Sequence, residues 1–77
     1  MQADQTLDCM GLYCPMPIVK TADKIKSLKT GEVLEVVADD PGIRQDMPAW
    51  SKATGHEFLG IEEAGKEIKV YVKKTHE

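Results

Sequence analysis

Two prolines, Pro15 and Pro17, stand one residue apart immediately before an amphipathic run, and they fix where the chain can start its first helix. A residue that precedes proline is pushed out of helical geometry, so Cys14 and Met16 are both held toward extended backbone. Proline itself is tolerated in a first helical turn, where the amide hydrogens have no partner inside the helix. Cys14 is therefore predicted on a loop at, or one step outside, the N-terminus of a helix. Beyond it Ile18, Val19, Ala22, Ile25 and Leu28 recur at helical spacing, and Lys20, Lys24, Lys26 and Lys29 occupy much of the remaining surface. Gly31 stands where such a helix wants a residue free to take positive φ.

The rest of the punctuation is equally clear. Thr6 to Cys9 reads as a short strand with Leu7 and Cys9 on one face, ended by Gly11. Val33 to Ala38 is a nearly continuous apolar run and reads as a central strand covered on both faces apart from Glu35. Asp39-Asp40-Pro41-Gly42 breaks it. A short turn over Gly42 to Gln45 is predicted next, with Asp46 capping a second helix that ends near Thr54 at Gly55, because Pro48 suits a first turn and not an interior. Met47, Trp50 and Ala53 form its predicted buried stripe. His56 to Glu63 and Glu67 to Lys73 read as two strands joined by a hairpin over Ala64-Gly65-Lys66. The order β-α-β-α-β-β implies an α/β (α+β) two-layer sandwich, with a four-stranded mixed sheet and both helices on one face. The apolar inventory is too small to cover two faces.

A chain of 77 residues holds one domain, here 1–77, and buries only about 60% of the surface its unfolded form exposes. Its 42% apolar and 30% charged residues are those of a globular domain. With two cysteines and two histidines it lacks a closed zinc pattern, and neither a metal nor a cofactor is expected. The net charge of −3 argues against direct binding of nucleic acid, which needs a basic face. Residues 1–5 lack the charged and apolar regions of a secretory signal, and no apolar run approaches spanning length, so a cytoplasmic protein off the membrane is expected. In that compartment the cysteines are thiols, and a disulfide is transient or catalytic.

At the start of a helix, unpaired amide hydrogens and the helix dipole favour negative charge, so Cys14 is expected to have a lowered pKa and a larger thiolate fraction. Lys20 and Lys24 lie farther along and add modest, screened help. The competing reading makes Cys14 a small buried hydrophobe beside a helix start, as free cysteines often are. The flanking prolines weigh against that, since they are a costly device for a packing residue.

These residues resemble a known family. Leu7-Asp8-x-x-Gly11-Leu12-x-Cys14-Pro15-x-Pro17 is similar to the N-terminal signature of the TusA (SirA-like) sulfur carriers. Ala38-Asp39-Asp40-Pro41, then Arg44 and Asp46-Met47-Pro48, resembles that family's second block, and Gly55-His56-Glu57 also fits. The resemblance covers essentially the whole chain and implies the same sandwich. It implies that Cys14 takes sulfane sulfur as a persulfide from a donor protein, a cysteine desulfurase or rhodanese-like protein. The sulfur then passes to an acceptor protein's cysteine in a relay such as tRNA thiolation or sulfur metabolism. Gly11, Pro15 and Pro17 would support the cysteine loop. The protein would be a monomeric carrier, sulfurtransferase-like rather than an enzyme with independent turnover.

The remaining candidates carry their own alternatives. Cys9 is a core residue of the first strand, a resolving thiol for Cys14 or a second persulfide site; a 9–14 disulfide needs Cα atoms within about 7 Å. Asp39, Asp40, Arg44 and Asp46 form a charged cluster that reads as solvated caps and turn formers. The resemblance places the segment near the cysteine loop, where Arg44 would steady a thiolate or meet an acidic patch on a partner, with Asp40 a further candidate contact. Lys20 and Lys24 are further partner contacts. His56 is assigned no chemistry. Two other functions stay open: a small redox-sensing or regulatory interaction module, and a dithiol oxidoreductase using Cys9 and Cys14.

Overall fold

The computed structural model describes residues 2–76; Met1 and Glu77, within the expected 1–77 domain, lie outside the described residues. The chain runs β1 (Gln5–Cys9), α1 (Met16–Lys24), a 3₁₀ turn (Ile25–Ser27), β2 (Val33–Ala38), α2 (Ile43–Thr54), β3 (Glu57–Ala64) and β4 (Glu67–Lys73). The strands form one sheet in the order β1-β2-β4-β3. β1 and β2 are parallel, with Leu7 beside Val36 and Cys9 beside Ala38, and the other two pairings are antiparallel. This is the mixed-sheet, two-helix sandwich that the element order implies.

One sheet face makes the core. Cys9, Leu34, Val36, Ala38, Ile68, Val70 and Val72 alternate onto it and meet Ile25, Leu28, Ile43 and Met47 from the helical layer. Truncating a fully buried leucine such as Leu34 in this layer costs about 2–5 kcal/mol. The other face is polar. Central strand β2 is not covered on both sides as its composition suggested: Leu34, Val36 and Ala38 are buried while Val33, Glu35 and Val37 are half-buried. On that open face Glu35 accepts hydrogen bonds from Thr6 on β1 and Tyr71 on β4.

Both helices differ from expectation in an instructive way. The first helical run tightens at Ile25 and ends by Leu28, whose backbone is extended. Buried Lys74 reaches back from beyond β4 and donates from Nζ to the Leu28 carbonyl at 2.7 Å, placing a cation at the helix end. Gly31, at φ 95°, serves the turn into β2 rather than a helix terminus. Val19, at helical spacing with the core residues, is half-exposed. α2 begins at Ile43 and carries Pro48 inside it. Its first amides, of Ile43, Arg44 and Gln45, bond three residues back before Asp46 N–H reaches the Gly42 carbonyl in α-helical register. The expected short turn and the main helix are thus one element, and Asp46 lies in its first turn rather than capping it. The buried residues are Ile43, Met47 and Ser51; Trp50 is half-buried and Ala53 exposed. Gly55 ends the helix with left-handed φ of 84°, as expected.

Candidate functional site

The parallel pairing of β1 with β2 brings their C-terminal ends together, so the loops that follow them meet. Gly11 turns the first loop at φ 80°, where a Cβ would find open space; its glycine answers a backbone requirement and not a steric one. Two aspartates of the second loop then hold the first. Gly11 N–H donates to Asp39 Oδ1 at 3.1 Å and Cys14 N–H donates to Asp40 Oδ2 at 2.7 Å. Asp40 is itself held by Gly42 N–H at 3.2 Å. Pro15 occupies the N-cap of α1 after a cis Cys14–Pro15 peptide, and Pro17 is buried in the first turn.

Cys14 is exposed, and its Sγ donates to Asp46 Oδ2 at 2.8 Å. The bond to Asp46 raises the thiol pKa, and partial desolvation and the charges of Asp46 and Asp40 push the same way. This corrects the expected lowering. Pro15 and Pro17 have no amide hydrogen, while Met16 N–H is bonded to the Tyr13 carbonyl and Ile18 N–H to the Pro15 carbonyl. The first turn therefore offers a thiolate little, and the nearest charges are carboxylates. These surroundings favour the thiol over the thiolate.

The other candidate residues are placed as follows. Lys20 is exposed on α1 and Lys24 half-buried in its last turn; neither charge acts appreciably on Cys14, and that of Lys20 is felt at Cys9. Arg44 directs its guanidinium at Glu63 on β3 in a bidentate pair, Nη2 to Oε1 at 2.6 Å and Nε to Oε2 at 3.0 Å, rather than at the thiol. Cys9 is a free thiol with no exposed surface, facing the helical layer; burial, then Asp8, raises its pKa. His56 stacks between Trp50 and His76, with ring centroids 5.7 and 4.4 Å away, at the opposite ends of the helices. A cavity of about 400 Å³ lies there, lined by Ile25, Trp50, His56 and Lys74 among others.

Two features of the site escaped the sequence reading. Asp46 touches the thiol itself; its signal was available only once α2 was known to begin before it. The second is a group of exposed apolar side chains on the cysteine loop and early α1: Met10, Tyr13, Met16 and Val19. Tyr13, 75% exposed, is adjacent to the thiol in the chain. Apolar loop residues with no periodic partner were the available sign.

A two-layer sandwich that presents a loop cysteine between the starts of its two helices defines a class of small thiol-presenting domains. The family described as sulfurtransferase TusA matches residues 5–74. YrkF of Bacillus subtilis is 51% identical over 77 residues, which is all of this chain and 42% of YrkF. YrkI of the same organism is 43% identical over 74 residues, 96% of this chain and 99% of the relative. The sulfur carrier protein TusA of Allochromatium vinosum is 39% identical over 72 residues, 94% of this chain and 95% of the relative. The chain thus spans about two-fifths of the first of these and nearly the whole of the other two. The crystal structure of a SirA-like protein from Desulfitobacterium hafniense shares the fold, with a TM-score of 0.80 at 23% identity, covering 94% of this chain and 99% of that one. The chain belongs to the TusA family. No helix among the described residues is long and apolar enough to cross a membrane, and those residues include no cluster of three potential metal ligands.

Proposed function

We propose that this domain is a sulfur carrier in which Cys14 accepts sulfane sulfur from a donor protein, holds it as a persulfide and hands it to a cysteine of an acceptor protein. The homologues support the carrier role. The observation that carries the finer reading is the exposed Cys14 thiol set among exposed Met10, Tyr13, Met16 and Val19. Sulfur transfer requires the partner's sulfur to come within bonding distance of Sγ, so whatever docks must cover the residues beside it. An apolar rim around a reachable thiol suits a short-lived protein contact. Lys20, beside Val19, is a cation available to an acidic partner surface. The reducing compartment expected of a cytoplasmic protein, with thiols kept free, fits this chemistry. The buried position of Cys9 supports a single-thiol carrier over a dithiol oxidoreductase.

Loading balances without an external oxidant. Cys14 sulfur attacks the terminal sulfur of a donor persulfide, the donor's S–S bond breaks, and the donor leaves as a thiol carrying the proton lost by Cys14. The test is intact-protein mass after incubation with a cysteine desulfurase and cysteine, or with polysulfide. A gain of one sulfur, removed by reductant, is expected in wild type and Cys9→Ser and not in Cys14→Ser. No gain in any variant with either donor overturns the carrier reading in favour of an interaction or redox-sensing module.

A further inference from the structure

Cys14 and Asp46 come from different elements, one from the loop before α1 and one from the first turn of α2, and they meet through a single hydrogen. We propose that Asp46 reads the loading state of Cys14: it holds the empty thiol, takes up the thiol's proton on loading, and opposes the persulfide that results, so that the sulfur equilibrium is tilted toward emptying. This inference rests on the carrier reading above and assigns Asp46 a catalytic place at the same site.

Covalent accounting is the core of the argument. A thiol has one hydrogen, and here it lies toward Asp46 Oδ2, 2.8 Å from Sγ. When Sγ bonds to an incoming sulfur, that hydrogen must leave. The overall exchange is Cys14–SH with R–S–SH giving Cys14–S–SH with R–SH. One S–S bond forms as another breaks, the transferred sulfur keeps its oxidation state, and the proton of Cys14 ends on the donor's thiolate. Asp46 is the base in contact with that proton and the acid placed to return it. Afterwards Sγ carries two covalent bonds and no hydrogen, so the bond to Asp46 cannot persist in the loaded protein. Sulfur lone pairs then face a carboxylate oxygen across the same short distance.

Charge adds to this. The terminal S–H of a persulfide is more acidic than a thiol, because the neighbouring sulfur spreads the negative charge. The charged groups facing the site are Asp46 from α2 and Asp40 from the β2–α2 connection, both acidic. Asp40 is fixed by its bonds from Cys14 N–H and Gly42 N–H. It holds the loop in either state, whereas the Asp46 contact exists only in the empty one. Like charges at close range disfavour the loaded anion, and the hydrogen bond favours the empty thiol, so both effects have the same sign.

The experiment equilibrates the full chain with fixed ratios of glutathione persulfide to glutathione and reads the loaded fraction by intact mass. Wild type, Asp46→Asn, Asp46→Ser and the charge-retaining Asp46→Glu are compared, each checked by its thermal melt. The neutral variants are expected to shift the loading equilibrium toward persulfide by roughly two- to fivefold, the span of one exposed charged contact. Alkylation of their empty Cys14 by iodoacetamide at neutral pH is expected to quicken, with its pH midpoint lowered. Asp46→Glu stays near wild type. If wild type loads and the neutral variants share both its equilibrium and its alkylation profile, the role of Asp46 is overturned while the carrier reading stands. If wild type takes up no sulfur, the carrier reading fails and this inference goes with it.

Discussion

The hydroxyl of Tyr71 lies 2.6 Å from Glu35 Oε2 and 3.1 Å from Glu62 Oε1, so one phenol on β4 bridges carboxylates on the strands to either side. The bond to Glu35 contributes most, followed by burial and the Glu62 bond, and together they hold the Tyr71 pKa well above the ordinary phenol range. A residue that is buried yet belongs to the open sheet face is thereby satisfied.

Replacing Tyr71 by Phe should lower stability by about 1 kcal/mol at neutral pH, because it removes the donor that two carboxylates share. Its sign with pH is also fixed. A pKa raised in the folded state stabilises fully below the unfolded value, near pH 10, and that contribution is lost as pH rises further, when only the unfolded tyrosine ionises. Denaturant unfolding across the alkaline range should show a steeper fall for wild type than for Tyr71→Phe. Parallel curves would mean that the bridge is not linked to folding.

Cys9 and Cys14 should separate cleanly by reactivity. Under native conditions iodoacetamide should modify Cys14 alone, at a rate that climbs into the alkaline range because the thiol pKa is raised, while Cys9 should react only on unfolding. Cys9→Ala should cost about 1–2 kcal/mol, as a small buried truncation does, and leave persulfide loading intact. Native labelling at Cys9, or loss of loading in a folded Cys9→Ala protein, would restore it as a working thiol.

The stack of Trp50, His56 and His76 ties the segment after β4 to the end of α2, with Thr75 N–H donating to His56 Nδ1 at 3.2 Å. Burial, then the neighbouring charges of His76 and Lys74, lowers the His56 pKa. A depressed histidine contributes stability above its unfolded pKa, near 6.5, and loses it as pH falls through the folded value. The thermal midpoint of wild type should therefore drop between about pH 7.5 and 5.5. His56→Phe keeps a ring in the stack and loses the Thr75 bond at every pH, so its curve should start lower and slope less. An equal slope in both proteins would remove His56 as the cause.

Much of the architecture was written in local pattern. β4 has strict alternation, and Glu67 to Lys73 is read with the observed bounds; Gly55 marks the end of α2 because only the left-handed region closes that helix. What was illegible depended on tertiary partners. α1 gives way to a 3₁₀ turn at Ile25 and the helical run ends by Leu28, whose carbonyl is met by Lys74 from far away in the chain. Pro48 lies inside α2 because tight bonds from Ile43 onward start the helix sooner than proline placement suggests. The thiol pKa moved opposite to expectation for the same kind of reason. The helix-start argument counted amides that the prolines delete and the loop carbonyls occupy, and it could not see Asp46 arriving from another element. The position of Cys14 was readable from its neighbours in sequence; its electrostatics were not.

The apolar rim yields the sharpest separation between chemistry and recognition. Tyr13 and Met16 flank the cysteine–proline pair, and both are exposed at the surface, so neither holds the core together. A polar but uncharged residue at either place should leave the fold and the thiol intact. It should leave loading by polysulfide, a small donor needing no docking surface, close to wild type. Loading from a protein donor is different, because the rim must be desolvated against the partner before the sulfurs meet, and an unpaired polar group buried there opposes docking. Tyr13→Asn and Met16→Gln are therefore expected to slow desulfurase-dependent loading by roughly tenfold, on the scale of a central interface residue. Comparing the two donors by intact mass over time makes the distinction. Slowing with the protein donor alone locates recognition in the rim. Equal rates with both donors would place the docking surface elsewhere, and equal slowing with both would show that the substitutions had altered Cys14 itself.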